Sequence, residues 1–276
     1  MNRLAETFQR LRTRGDTGLV AYVTAGDPDL PRSRKIIGAV GRAGADVLEI
    51  GVPFSDPVAD GPAIQRASER ALAAGSHLSA ALDLVAEVRA ELAPAVVLFT
   101  YVNPVLRLGL DRFVARAAEA GVDGVLLLDV PIEEAADVRA RLDAKGIDQI
   151  FLISPTTSDA RLAEAARLGR GFLYAISRLG VTGARDAVAG TARPLVARIR
   201  AATTMPIALG FGISRPEHVT EVGEFADAAV VGSALVQVIA EASSNGGDPA
   251  TRAGDFIRWL KGSSQADTAG SAGLVS

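Results

Sequence analysis

The chain has 276 residues, of which 49% are apolar and 22% charged, enough apolar surface for a sizeable core. Its 29 basic and 32 acidic side chains leave a net charge of −3, so there is no positive excess to neutralise a nucleic-acid backbone or an anionic membrane surface. With no cysteine it has no disulfide, thiolate nucleophile or sulfur-ligated metal, which fits a reducing compartment and points to the cytoplasm.

The opening segment MNRLAETFQRLRTRG is amphipathic and charged and carries no apolar signal region, so it reads as an extra N-terminal helix rather than a leader. No later stretch holds the roughly 18 uninterrupted apolar residues of a membrane span, and a protein that is neither exported nor embedded is expected. Short apolar runs then begin near Leu19, Asp46, Ala95, Gly124, Asp148, Gly171, Pro206 and Ala228. Between them lie segments with apolar residues three and four apart. Eight strand-helix units in about 250 residues predict a single-domain (β/α)8 barrel over residues 1–263, in preference to an open doubly wound sheet. The remainder, 264–276, is aperiodic and rich in Ser, Gly and Ala, and is read as a disordered tail.

The intervals after the second and sixth runs are the long ones. Because the segments after the strands build the active face of such a barrel, the stretches Phe54 to Gly61 and Arg178 to Thr191 are read as site-forming or lid loops.

Alternation in DVLEIGVP puts Val47, Glu49 and Gly51 on one face and Leu48 and Ile50 on the other. If the leucine and isoleucine meet the helices, Glu49 points into the barrel near its C-terminal rim. A desolvated carboxylate there has a raised pKa and suits general acid and base work; the alternative is a structural carboxylate paired with an arginine. Asp60, in FSDPVADGP, lies in a loop that reads as polar and wet, so its pKa is expected to stay low. Two carboxylates in unlike surroundings allow one to carry a proton while the other stays an anion. Asp56 and Asp60 could equally brace turns.

GFGIS and VVGSA end the seventh and eighth strands with glycine where strand gives way to loop. Backbone N–H groups at these two places, helped by the N-terminus of a short extra helix, form phosphate sites in barrels, and the donors named are Gly212, Gly232 and Ser233, with Gly183 as a third side. The ligand is then a phosphorylated small molecule. The three lysines, Lys35, Lys145 and Lys261, do not end strands, which argues against Schiff-base chemistry. His77 and His218 fall in first turns of predicted helices and read as solvated, so neither metal ligation nor a histidine acid is expected. Tyr174 offers a hydroxyl to a substrate oxygen or is an ordinary strand aromatic, and Trp259 is expected to pack on the barrel wall.

With LEIGVPFSDPVADGPAIQ (48–65), SRLGVTGAR, GFGIS and VVGSA in hand, together with AYVTAGDPD, NPV at 103–105 and LLLDVP, the chain resembles the tryptophan synthase alpha subunit family over everything except the tail. The resemblance implies retro-aldol cleavage of indole-3-glycerol phosphate to indole and glyceraldehyde 3-phosphate. It assigns Glu49 as the acid and base, Asp60 as the anion that holds the indole N–H, and Tyr174 to the glycerol moiety. It places Gly183, Gly212, Gly232 and Ser233 at the phosphate, and Tyr22, Phe99, Leu126 and Leu128 around the indole. Tyr22 stands where many relatives carry Phe. The resemblance further implies no cofactor or metal in this chain. The partner it implies is a pyridoxal-phosphate beta subunit in an αββα heterotetramer, faced by the loop containing Pro53, Asp56 and Pro57, with a lid that includes Arg178 and Thr182. A free-standing lyase, a non-catalytic regulatory subunit and a phosphosugar isomerase on the same barrel are the competing readings.

Overall fold

The computed structural model describes residues 2–176, 189–210 and 212–262. A first helix, α1 (Arg3–Arg14), precedes β1 (Gly18–Thr24), α2 (Leu30–Arg42) and β2 (Val47–Gly51), and two helices follow, α3 (Pro62–Ala73) and α4 (Leu78–Arg89). Then come β3 (Ala95–Thr100), α5 (Val102–Leu108), α6 (Leu110–Ala120), β4 (Gly124–Leu127), α7 (Ala135–Asp143), β5 (Asp148–Ile153) and α8 (Asp159–Leu168). The last third holds β6 (Leu173–Ile176), α9 (Ala189–Ala202), β7 (Ile207–Gly210), α10 (Pro216–Gly223), β8 (Ala228–Val231), α11 (Ser233–Ser244) and α12 (Pro249–Leu260). The strands close in chain order into a parallel barrel, β8 pairing with β1. The eight-unit barrel read from the sequence is therefore the fold.

Strand alternation sorts side chains as expected. Leu48 and Ile50 face outward and join Ile36, Ile37 and Leu82 of the helical layer, while Val47 faces inward with Val20, Val97, Leu126, Ile150 and Phe172. The N-terminal end of the barrel is closed by α1. Asn2 caps that helix by accepting the Ala5 N–H at 3.2 Å, and Leu4, Phe8 and Leu11 drop from it into the inner cluster. Their burial contributes about 1.5–3 kcal/mol each. Glycine makes the space: a Cβ on Gly18 would lie 2.8 Å from Leu11, and one on Gly124 would lie 2.9 Å from Leu4.

Three aspartates tie the same end together. Asp46, Asp123 and Asp227 each stand one residue before an even-numbered strand, and each carboxylate accepts the backbone N–H of a residue on the preceding odd-numbered one. The donors are Leu19 (2.9 Å), Val96 (2.8 Å) and Ile207 (2.7 Å). The aspartate N–H groups return a bond to the same three residues. Cations complete the clamps: Lys261 on Asp46 at 2.7 Å, Arg3 and Arg89 on Asp123 at 3.2 and 3.5 Å, and Arg200 on Asp227.

Two expectations need correction here. The extra chain after the second strand is not mainly loop; most of it folds as α4, which leaves residues 52–61 as the site-facing connection. Trp259 does not pack on the barrel wall. α12 presents Ala250, Ala253, Ile257 and Leu260 to the core, which turns Trp259 outward, 39% exposed and stacked on Phe256 at 5.7 Å. Residues Arg178, Thr182 and Gly183 and the tail 264–276 lie outside the described residues. No single described helix is long and apolar enough to cross a membrane.

Candidate active site

Glu49 is 1% exposed and stands in register between Tyr22 of β1 and Val97 of β3. Among the described residues neither of its carboxylate oxygens has a hydrogen-bond partner, so the alternative of an arginine-paired structural carboxylate fails. Burial, and then the charge of Asp60, push its pKa up to about 8. At neutral pH the group therefore holds a proton in an apolar setting and can release it to a carbon base.

Asp60 ends the loop that follows β2 and is half-buried. The Tyr101 hydroxyl, at the end of β3, donates to its Oδ2 at 3.3 Å and accepts the Ala59 N–H at 3.0 Å. The Gln65 amide donates to the Asp60 carbonyl at 2.9 Å. The expectation of a wet, low-pKa carboxylate is overturned, because burial lifts Asp60 to about 6 while the Tyr101 hydrogen bond opposes the rise. The loop's own polar sequence conceals the ring of Tyr101, which stacks on Phe54 at 4.9 Å and covers that stretch. Asp56 takes the bland role: exposed, it accepts the Ser55 hydroxyl at 2.6 Å and braces the turn. Pro53 is buried and Pro57 half-buried.

The wall beside the carboxylates is aromatic. Tyr22 meets Phe99 edge to face, with centroids 5.4 Å apart, and lies in a cluster with Ala67 and Val236, against which Ile64 packs. Its hydroxyl accepts a bond from Thr24 at 3.3 Å and hangs over Gly51, where any Cβ would sit 2.1 Å away. Tyr174 is housed in the same manner above Gly210, with 2.9 Å from a Cβ there to the ring. Burial, then the charge of Glu49, raise the Tyr174 hydroxyl far above its ordinary range, so it stays a neutral donor. Leu126 pairs in register with Phe99 and is fully buried, and Leu128 follows β4, partly buried against the same inner cluster.

Gly210 and Val230 are register partners, so Gly212 and Gly232, two residues further along each strand, head adjacent loops. Gly212 is exposed at φ +51, a conformation that favours glycine, and Gly232 caps α11, whose first residue is the exposed Ser233. That helix has 12 residues, in place of the short one expected, and no side chain among the described residues caps its N-terminus, which faces the same end as the carboxylates. His218 is buried and not solvated: its Nδ1 accepts the Ser214 N–H at 3.3 Å and its Nε2 faces Arg215 at 3.1 Å. His77 is exposed and caps α4. Among the described residues no three His, Asp or Glu side chains gather as a metal-ligand set. Tyr101, Thr24, Gln65, Ile64, Ala67 and Val236 were not singled out in the sequence. Tyr101 carried a usable signal, since it closes a barrel strand at the catalytic rim.

A closed parallel barrel with buried and half-buried acids at the C-terminal rim belongs to the (β/α)8-barrel enzymes. The family model described as tryptophan synthase alpha chain matches residues 8–261. The alpha chain of Geotalea uraniireducens is 49% identical over 261 residues, covering 95% of this chain and 97% of the relative, and that of Geobacter sulfurreducens is 50% identical over 86% and 90%. The crystal structure of tryptophan synthase subunit alpha from Legionella pneumophila superposes with a TM-score of 0.88 at 37% identity, covering 95% and 98%. A Mycobacterium tuberculosis tryptophan synthase structure gives 0.86 at 36%. The chain belongs to the tryptophan synthase alpha chain family, lyases that cleave indole-3-glycerol phosphate.

Proposed function

We propose that Glu49 is the acid and base of this cleavage and that Asp60 is its electrostatic partner. Glu49, protonated, delivers its proton to C3 of the indole ring, which makes the ring an electron sink for the C3–glycerol bond. That bond breaks toward the ring as the glycerol hydroxyl becomes the aldehyde carbonyl, and the Glu49 carboxylate takes the hydroxyl proton. The proton count closes, and indole and glyceraldehyde 3-phosphate remain. Asp60 accepts the indole N–H, a bond that strengthens as the ring becomes cationic and so favours the transition state over the ground state. Tyr174 donates to the glycerol moiety. Tyr22, Phe99, Leu126 and Leu128 enclose the ring. The phosphate rests on the N–H groups of Gly212, Gly232 and Ser233, with Gly183 as the third side.

The observation that carries this reading is the pair of buried Glu49 oxygens, without a partner among the described residues and close enough to Asp60 to feel its charge. No structural role accounts for such a carboxylate, which costs stability when ionised. The family implies a beta-subunit partner, and the αββα arrangement, with pyridoxal phosphate confined to that partner and this chain cofactor-free, forms part of the same reading, as does a cytoplasmic location. Val58, 83% exposed, and Leu106, 61% exposed, lie on the connections after β2 and β3 and suit the docking face, together with Asp56 and Pro57, while Pro53, buried, offers it no surface. Arg178 and Thr182 fall in the proposed lid. The test is indole release from indole-3-glycerol phosphate by the purified chain, with and without a beta subunit. Strong stimulation supports the synthase, full activity alone supports a free-standing lyase, and near-normal turnover by Glu49→Gln removes the assigned base.

A further inference from the structure

The carboxylate of Asp60 sits on a loop, and loops place side chains less firmly than strands do. What fixes it is visible on the neighbouring strand. Tyr101 is 3% exposed at the end of β3, and its ring is held by the Phe54 ring at 4.9 Å. Its one hydroxyl does two things: it accepts the Ala59 backbone N–H at 3.0 Å and donates to Asp60 Oδ2 at 3.3 Å. Backbone and carboxylate of adjacent residues are thus gripped by one atom. That atom is carried by a residue anchored in the barrel, whose next residue, Val102, gives its N–H to Asp129 at 2.7 Å.

We infer that Tyr101 is a positioning residue of the site, which sets where the Asp60 carboxylate stands and keeps it available as an anion. This deepens the reading in which Asp60 holds the indole N–H, and it rests on that reading for its kinetic consequences alone. The groups facing Asp60 are Glu49 from β2, Tyr22 from β1, Tyr174 from β6 and Tyr101 from β3, all acidic or neutral, with Gln65 from α3 on its carbonyl. Among the described residues, then, the Tyr101 hydroxyl is the hydrogen-bond donor that reaches the carboxylate itself. Removing it leaves burial unopposed, and the anion becomes harder to form.

Tyr101→Phe keeps the ring and its stack on Phe54 and deletes only the hydroxyl. With a hydrogen bond to a charged group lost, kcat/KM is expected to fall about tenfold or more. The loss should sit mainly in kcat, and the ascending limb of the pH profile should move up by about half a pH unit or more. A carbon-13 NMR titration of Asp60 in the free chain, wild type against Tyr101→Phe, reads the same displacement without turnover. An upward-moved Asp60 titration supports the inference even if no indole is released, in which case it is the assigned reaction that fails. An Asp60 titration and a kcat/KM both within about twofold of wild type would overturn it. Tyr101→Leu, which also loses the ring, should fall further than Tyr101→Phe; equal losses would mean that the hydroxyl alone acts.

Discussion

The two ends of the barrel treat carboxylates in opposite ways. At the N-terminal end Asp46, Asp123 and Asp227 each hold a backbone N–H and a cation, and α1 seals the bore with Leu4, Phe8 and Leu11. At the C-terminal end Glu49 is buried with no partner among the described residues and Asp60 has a tyrosine hydroxyl. The first arrangement spends charge on rigidity. The second leaves the acids that the proposed reaction uses to exchange protons, and on that reading stability and chemistry separate along the barrel axis.

That contrast can be broken from either end. The largest effect is expected from Glu49→Gln, which keeps the shape and removes the proton carrier; indole release should drop by about 10³-fold or more. Asp60→Asn should lose roughly 2 to 4 kcal/mol of transition-state stabilisation, read as kcat/KM, since it resembles loss of an oxyanion-type partner. In wild type, kcat/KM should climb through about pH 6 as Asp60 ionises and fall above about pH 8 as Glu49 loses its proton.

From the other end, Asp123→Ala removes a buried acceptor of Val96 N–H and the partner of Arg89 and Arg3. It should cost about 2–3 kcal/mol in urea denaturation, with the kcat of the folded enzyme unchanged. A last test sharpens the contrast through pH. Because Glu49 binds its proton more tightly folded than unfolded, native stability is greatest below pH 4.5 for this group and declines as pH rises toward about 8. Glu49→Gln lacks that decline, so its stability relative to wild type should be higher at pH 9 than at pH 5, again by urea denaturation.

Most of this architecture was legible in one dimension because its causes are local. Period-two alternation placed Glu49 inside and Leu48 and Ile50 outside, and eight apolar runs gave eight strands. What escaped depends on residues far apart in the chain. Asp60 looked solvated because Tyr101, 41 residues on, is what covers and grips it. His218 looked exposed because its cover comes from packing and not from its helix alone. Trp259 was misplaced because one apolar side chain more or less does not reveal which way a 12-residue helix turns. The long interval after the second strand hid α4, whose period was there to be found, and the clamps formed by Asp46, Asp123 and Asp227 show a repeat, aspartate before strand, that only the ladder makes meaningful.

The plug at the closed end has a consequence for assembly. α1 is made before every strand of the barrel, yet its seat includes Gly124 and Phe172, with the Phe8 ring 5.5 Å from that of Phe172, so the groove it fills is finished only once the sixth strand begins. The helix must wait, apolar face uncovered, for contacts of very long sequence separation, which places its docking late and leaves that face open to wrong partners in the meantime.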